Sequence, residues 1–295
     1  MKNLGSIFAA LLTPFEDDGT ISHDRIGPLV DFIISQGVHG VYASGSTGES
    51  VLQSCDDRET HLIALAEHAR GKCTLIAHVG AAATQDAVHL AKIANEYGYN
   101  ALSAVPPYYY RHSFEAIHDY YAAISQATDL PLTIYNIPVL SGADLSTEKL
   151  LKLLDIPNVE GVKFTSQDLF QFGQLRKKRP EKAFYFGTDE MFLGAVAMGS
   201  DGGIGSTYNL IGRHYVEIEK AVAANDIESA RKLQSEANNM IEILIRAGVV
   251  PGLKYAMGRI GVTVGPCRAP FRPVSDTSKA EIDAWLEAHD FSLNG

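Results

Sequence analysis

The fold is decided by a stretch that begins with IFAALL at residues 7–12 and reaches GVYA at residues 40–43. Both runs are short and apolar, which is typical of buried β-strands. Between them, apolar residues recur at a spacing of three and four, as on a helix that lies against a sheet. These residues are Ile26, Leu29, Val30, Ile33 and Ile34. Gly37 follows as a stop signal, so the stretch predicts strand, helix and strand, the parallel βαβ unit.

The same cycle continues along the chain, with one strand and one helix in roughly 20 to 35 residues. Further helices are predicted at residues 84–97 and 113–127. Eight strand candidates result, at residues 7–12, 40–43, 74–78, 101–105, 132–135, 159–163, 183–186 and 202–205. They predict an α/β fold, a (β/α)₈ TIM barrel over residues 1–210, with its active site at the C-terminal ends of the strands. A doubly wound open sheet is the competing architecture, but it would usually need fewer units and a Gly-rich turn near the first strand.

The remainder of the chain, residues 211–295, carries no further strand signal. Helical periodicity is found at residues 215–223, 227–245 and 278–289. No linker rich in Gly, Ser or Pro separates this part from the barrel. We therefore predict a C-terminal helical extension that packs on the barrel.

Composition and charge limit the partners of this protein. The 295 residues are 46% hydrophobic and 20% charged, as in ordinary globular proteins, and their formal net charge is -10. This charge disfavours nucleic acid and anionic membranes, so a small molecule is the expected partner. No apolar run approaches the roughly 20 residues of a membrane helix. Cys55, Cys73 and Cys267 are widely spaced and form no Cys-x-x-Cys pair, which predicts a reducing, cytoplasmic location.

A lysine and a tyrosine end two neighbouring strand candidates. Lys163 ends the sixth, among apolar residues that predict a partly buried amine. Burial favours the neutral form of an amine, which can attack a ketone and form a Schiff base. Tyr135 ends the fifth strand at the same face and could move a proton. Taken singly, Lys163 is more simply interpreted as a lysine that reaches solvent at a strand edge or forms a structural ion pair, and Tyr135 as a packing residue. The hypothesis depends on the pairing of the two.

Three loops at strand ends bring small polar groups to the same rim. The loop GSTGES at residues 45–50 could gather backbone N–H groups and hydroxyls around a carboxylate, although a tight turn into a helix explains it as well. It lacks the Gly-Lys-Ser/Thr ending of a phosphate loop. Residues 187–190 and 203–208 could bind a polyol. Asp189 could instead cap the helix that follows.

Two further features remain open at this level. The aromatic run Tyr108 to Tyr110 follows two prolines and indicates a lid, a subunit contact or packing over the barrel's own loops. His78 ends the third strand without a second histidine at metal-binding spacing, so we interpret it as a hydrogen-bonded core residue. A metal-dependent aldolase is thereby disfavoured, and we expect neither a metal nor a cofactor.

Four motifs together resemble a known family. GSTGE at 45–49, YNIP at 135–138, Lys163 and GIGST at 203–207 occur in the order found in the pyruvate-dependent class I aldolases, the N-acetylneuraminate lyase and dihydrodipicolinate synthase family. The likeness spans nearly the whole chain. YNIPVLSG at 135–142 is similar to the lyase branch, because the synthase branch has an arginine at the position of Leu140. The stretches at 163–166 and 187–190 are also similar to the lyase branch.

The resemblance implies a carbon–carbon lyase that reversibly cleaves N-acetylneuraminate to N-acetylmannosamine and pyruvate. Lys163 would form the Schiff base, Tyr135 would move the proton, and Ser46 and Thr47 would hold the keto acid's carboxylate. The residues implied to bind the remainder of the sugar are Thr165, Gly187, Asp189, Glu190, Gly205 and Ser206. Tyr109 would reach into a neighbouring subunit of a homotetramer.

Two alternatives remain open beside this reading. A different pyruvate-dependent aldolase of the same family, synthase-like or acting on a keto-deoxy sugar acid, would keep the Schiff base and change the aldehyde. A sensor that binds a keto acid or sialic acid without turnover belongs to another class of protein. Comparing turnover among aldehydes separates the first alternative, and calorimetry without product formation would indicate the second.

Overall fold

The computed structural model describes residues 4–289 and residue 291, and eight parallel strands form its closed barrel. Each strand pairs with the next along the chain, and the eighth pairs with the first. The strands are β1 (Ile7–Ala10), β2 (Gly40–Ala43), β3 (Thr74–His78), β4 (Ala101–Ala104), β5 (Leu132–Asn136), β6 (Val159–Phe164), β7 (Ala183–Phe186) and β8 (Gly202–Gly205). The predicted barrel is confirmed, and every strand candidate coincides with a strand. The first is shorter than predicted, and Leu12 donates its backbone N–H to the side chain of Asn209.

Helices surround the barrel and follow its strands. In the described residues they are α1 (His23–Ser35), α2 (Cys55–Ala69), α3 (Thr84–Glu96), α4 (Phe114–Ala127), α5 (Pro138–Ser141), α6 (Thr147–Leu154), α7 (Leu169–Lys178), α8 (Phe192–Ala197), α9 (Tyr208–Ala223), α10 (Ile227–Ala247), α11 (Val249–Arg259) and α12 (Asp276–Ala288). Short 3₁₀ helices occur at Ser50–Leu52 and Asp189–Met191. Local signals set the boundaries: Ser54 caps α2 in a capping box, and Gly37 just after α1 adopts a left-handed φ of 85°.

Two apolar layers hold the barrel together. The larger one lies between the outer face of the sheet and the helices. The smaller one fills the barrel interior and includes Phe8, Tyr42, Ile76, Tyr135 and Tyr185. Because side chains alternate between the two faces of a strand, residues paired in register on adjacent strands share a face. Lys163 of β6 is the register partner of Tyr135 on β5, so the lysine also belongs to the interior face.

The C-terminal helices pack on the barrel, and residues 210 and 211, between which the sequence pattern divides the chain, both lie in α9. This helix is kinked at Ile211 and packs against β1 and β8, as the eighth helix of a barrel does. Helix α10 packs on α9, and α12 packs on α10 and α11. We therefore propose that the extension starts after Ala223. The ends of the two predicted domains, residues 1–3, 290 and 292–295, lie outside the described residues.

The sequence pattern did not indicate α11. Pro251, Gly252 and Gly258 interrupt its apolar periodicity, although a proline is tolerated in the first turn of a helix. Across residues 4–289 and 291, none of the helices is both long and apolar enough to cross a membrane.

Candidate functional site

The amine of Lys163 is buried near the C-terminal end of β6, with only 4% of the residue exposed. Its Nζ atom lies 4.0 Å from the ring centroid of Tyr135 and 4.3 Å from that of Tyr42. The two rings are nearly perpendicular, at 82°, and form two walls around the nitrogen. Aromatic faces attract a cation over their centre, so this pocket suits a nitrogen that becomes positively charged.

Tyr42 was not among the site residues predicted from the sequence. It is fully buried, and its hydroxyl donates to Ser103 Oγ at 3.0 Å, while Ser103 Oγ donates to the Thr133 carbonyl at 3.1 Å. Burial, with a smaller contribution from the neighbouring Tyr135, holds the pKa of Tyr42 well above its usual value. Its hydroxyl thus stays protonated while the ring face meets Lys163. The sequence signal that could have identified Tyr42 was its position on β2, just before the Gly45 loop. Because the strand is apolar, this tyrosine looked like an ordinary core residue.

The loop after β2 is joined to the loops after β1 and β8. Thr47 Oγ1 lies 2.7 Å from Ser206 Oγ, and Thr13 Oγ1 donates to the Gly48 carbonyl at 2.7 Å. Thr47 is buried, whereas Ser46 is exposed. The structure therefore brings Thr47 and Ser206 together across the barrel mouth.

Thr165 and Gly187 lie beside Lys163. A side chain at position 187 would collide with Thr165 Oγ1 and approach the Lys163 Cε atom, so only glycine fits here without displacement. Thr165 donates its backbone N–H to the Asn136 carbonyl, and Gly187 donates to the Phe164 carbonyl. The Thr165 hydroxyl is buried, and no hydrogen-bond partner for it lies among the described residues. It is thus a buried polar group without a partner in the described part of the chain, close to the Lys163 side chain.

Asp189 is buried beneath the rim and binds the start of α9. Its Oδ2 accepts hydrogen bonds from the Thr207 backbone N–H and hydroxyl at 2.9 and 2.7 Å, so it does not act as the N-cap of the helix next to it. Burial raises the pKa of Asp189 to about 6, against the opposing effect of the Thr207 bonds. A Cβ at Gly205 would overlap the Asp189 carboxylate. Glu190 is half-buried, and its carbonyl accepts from Asn238 at 3.2 Å.

His78 is a hydrogen-bonded residue of the interior, in agreement with its interpretation from the sequence. Its Nδ1 donates to the Ser44 carbonyl at 2.8 Å, and its Nε2 accepts from the Val105 backbone N–H at 3.2 Å. This pattern requires the neutral imidazole, and burial lowers the pKa of His78 well below its usual value. Within the described residues, no group of three or more His, Cys, Asp and Glu side chains could hold a metal ion.

Tyr109 is not brought to the site of its own chain. It is 88% exposed, has a left-handed φ of 80°, and stacks edge-on against Tyr110. Leu140, which follows β5, is also exposed. Both residues therefore offer apolar surface at the barrel mouth.

Comparison with known proteins agrees with this geometry. The chain is 45% identical over 284 residues to an N-acetylneuraminate lyase of Escherichia coli (strain SMS-3-5 / SECEC), with 96% of each chain covered. The solved N-acetylneuraminate lyase from Mycoplasma synoviae is 39% identical, with a TM-score of 0.90, covering 96% of this chain and 97% of that one. The solved dihydrodipicolinate synthase from Bacillus anthracis is 27% identical, with a TM-score of 0.93, covering 98% and 99%.

The backbone is close to both solved structures, while the identity is higher to the lyases. The similarity first indicated by four short motifs thus extends over the whole barrel and its extension. The Dihydrodipicolinate synthetase family matches residues 3–289, which span all eight strands and all the described helices. The chain belongs to this family.

Proposed function

We propose that this protein is a class I aldolase that reversibly cleaves N-acetylneuraminate to N-acetylmannosamine and pyruvate. The observation that carries the proposal is the buried Lys163 amine between two tyrosine rings at the end of a barrel strand. The similarity to N-acetylneuraminate lyases over 96% of the chain supports the choice of substrate.

In the first step the unprotonated form of the Lys163 amine adds to C2 of the open-chain keto acid, and the resulting carbinolamine takes up one proton and loses water. The product is a protonated imine, whose positive charge lies between the faces of Tyr42 and Tyr135. Ser46 and Thr47 hold the carboxylate next to C2 with hydroxyls and backbone N–H groups. The link from Thr47 to Ser206 supports this role, because it keeps the loop at the barrel mouth.

Cleavage follows once the imine can accept electrons. A base removes the proton of the C4 hydroxyl, the C3–C4 bond breaks, and its electron pair moves into the imine to give an enamine. The C4 carbon leaves as the aldehyde of N-acetylmannosamine. Protonation at C3 and hydrolysis of the imine then release pyruvate and the free amine. We assign the proton transfers to Tyr135, because it carries a phenol and its ring centroid lies 4.0 Å from the Lys163 amine.

The remaining loops would select the sugar. We assign contacts with the polyol and N-acetyl group to residues at or just after the C-terminal ends of β6, β7 and β8: Thr165, Gly187, Asp189, Glu190, Gly205 and Ser206. The buried hydroxyl of Thr165, which has no partner among the described residues and lies close to the Lys163 side chain, supports this assignment. Leu140 supports the sugar over a short aldehyde acid, since an apolar side chain offers no cation for a second carboxylate.

We further propose a cytoplasmic homotetramer in which Tyr109 completes the site of a neighbouring subunit. The exposure of Tyr109 in its own chain supports this role. Cys55, Cys73 and Cys267 are free thiols, in keeping with a reducing compartment.

The direct test is product analysis after incubation with N-acetylneuraminate. We expect N-acetylmannosamine and pyruvate in equal amounts, and the reverse reaction when both are supplied. Turnover of aspartate semialdehyde with pyruvate but not of N-acetylneuraminate would assign the synthase reaction instead. Binding of N-acetylneuraminate by calorimetry without any product would indicate a sensor and refute the enzyme.

A further inference from the structure

The loop after β2 is held in a strained backbone conformation at both of its ends. Ser44 has φ of 54° and Glu49 has φ of 61°, the left-handed region that side chains rarely adopt. Such residues persist only where their surroundings fix them, and they cluster at functional sites. Between them lie Ser46 and Thr47, to which we assign the substrate's carboxylate. The groups that fix Ser44 and Glu49 therefore determine where these hydroxyls stand.

The first end of the loop is fixed by one histidine of α2 and one of β3. Ser44 Oγ lies 3.0 Å from His61 Nδ1, and the Ser44 carbonyl accepts from His78 at 2.8 Å. Both histidines are buried, and burial lowers the pKa of His61 to about 4 and that of His78 well below its usual value. These neutral side chains therefore act as ordinary hydrogen-bond partners of the loop.

The second end is fixed from the C-terminal extension by a buried ion pair. Lys254 Nζ on α11 lies 2.8 Å from Glu49 Oε1, and the two side chains are 3% and 0% exposed. Glu49 Oε2 accepts the backbone N–H of Arg268 at 2.8 Å. Lys254 also donates to the Pro266 carbonyl at 2.7 Å. The carboxylate thus has its partners in the extension, far along the chain from the loop it belongs to.

A buried ion pair is weak evidence for a contribution to stability, because removing two charges from water offsets their attraction. An apolar pair of similar volume would serve stability as well. What the charged pair supplies is a defined geometry, since Glu49 contacts Lys254 and Arg268 while its backbone is left-handed. We propose that Lys254 is a positioning residue, which acts through Glu49 to hold Ser46 and Thr47 in place for the substrate's carboxylate.

This inference rests on the proposed function and gives the extension a part in it. The side chain of Arg268 reinforces the same attachment, with hydrogen bonds to the Gly19 and Leu52 carbonyls and to Asp57. Lys254 itself would touch no substrate atom. Its loss should weaken the binding of the keto acid and leave the binding of the sugar aldehyde unchanged.

Steady-state kinetics in the synthetic direction test this split. We expect Lys254→Met and Glu49→Gln to raise KM for pyruvate about tenfold or more, while KM for N-acetylmannosamine stays within about twofold. The KM of the double variant for pyruvate should be no higher than that of the more impaired single variant, because both substitutions remove the same ion pair. Lys254→Arg, which can still donate to Glu49, should recover part of the pyruvate affinity.

Lys182→Met is the matched control. This lysine also pairs with a carboxylate, Glu160, and donates to the Val159 carbonyl, but at the opposite end of the strands. We expect it to leave both KM values unchanged. If Lys254→Met does not fold, the KM values of Glu49→Gln and Lys254→Arg provide the test. Both variants retain hydrogen-bonding groups at the contact, so we expect them to fold.

The outcomes separate the two hypotheses. A wild-type protein that turns over neither N-acetylneuraminate nor its products would overturn the proposed function. An active wild type whose folded variants keep their pyruvate KM, or lose affinity equally for both substrates, would overturn the positioning role of Lys254.

Discussion

At the scale of single residues, the site depends on what surrounds one nitrogen. The faces of Tyr42 and Tyr135 lie about equally far from Lys163 Nζ, at 4.3 and 4.0 Å. A ring face accommodates a neutral amine by packing and a cation through its quadrupole. The pocket therefore suits both the attacking amine and the positively charged imine that we propose to follow.

Tyr135→Phe separates the ring of this residue from its hydroxyl. The ring face toward Lys163 is kept, so imine formation should persist, while the proton transfers lose their carrier. We expect kcat for cleavage to fall by roughly 10²- to 10⁴-fold. Cleavage rates and borohydride trapping with pyruvate, measured on the same preparation, check this. A cleavage rate near that of the wild type would show that another group carries the proton.

Asp189→Asn tests the buried carboxyl group. Burial raises the pKa of Asp189 from 3.8 to about 6, so between these values the folded state retains a proton that the unfolded state has lost. The free energy of unfolding should consequently fall as pH rises through this window, by at most about 1.4 kcal/mol per unit.

The asparagine variant removes this contribution of Asp189. Its stability relative to wild type should rise between about pH 4 and 6 and then level off. Chemical denaturation of both proteins across this range provides the measurement. A difference in stability that does not vary with pH would contradict the raised pKa.

At the scale of elements, the strands could be predicted from the sequence, but the contacts between the loop after β2 and the C-terminal extension could not. The alternation of apolar runs and helical stripes gave all eight strands, and strand ends gave Lys163 and Tyr135 as candidates. Tyr42 was not predicted as a site residue because a tyrosine within an apolar strand looks like an ordinary core residue. Lys254 was not predicted because the glycines and the proline of α11 interrupt the helical pattern, so the helix itself was not recognised. Its pairing with Glu49 depends on the packing of segments far apart in sequence, which no local pattern encodes.

The 3₁₀ helix after β7 offers a test of the sugar-binding assignment. Glu190 is half-buried there, one residue after Asp189, and we assign it to the polyol. Glu190→Gln should raise KM for N-acetylmannosamine and leave KM for pyruvate unchanged in the synthetic direction. An effect confined to pyruvate would place Glu190 at the other end of the substrate.

At the scale of the whole molecule, the net charge bears on how the substrate is bound, and the exposed apolar surface bears on assembly. The charge of -10 repels anions over long range, so a keto acid must be held by local donors such as those of the loop after β2. Large apolar side chains are exposed on the segments that follow β2, β4 and β5. They are Val51, Tyr109, Tyr110, Val139 and Leu140. Surface of this kind favours contact with further subunits.

The proposed assembly is testable through Tyr109. Light scattering should give a mass four times that of the 32.0 kDa chain. Tyr109→Ala should lower activity at least about tenfold if the side chain completes a neighbouring site. Ile245→Ala, which also removes an exposed apolar side chain but lies on α10, serves as control and should retain activity. A monomer with full activity would contradict the shared site.

Reductive trapping tests directly whether Lys163 forms a Schiff base with pyruvate. Wild-type protein is treated with borohydride in the presence of pyruvate, and its peptides are analysed by mass spectrometry, with Lys163→Ala as control. We predict a reduced pyruvate adduct on the peptide that contains Lys163, loss of activity in step with labelling, and no adduct and no cleavage in the variant. An unlabelled Lys163 in active protein, or cleavage by Lys163→Ala, would show that the reaction does not proceed through a Schiff base on Lys163.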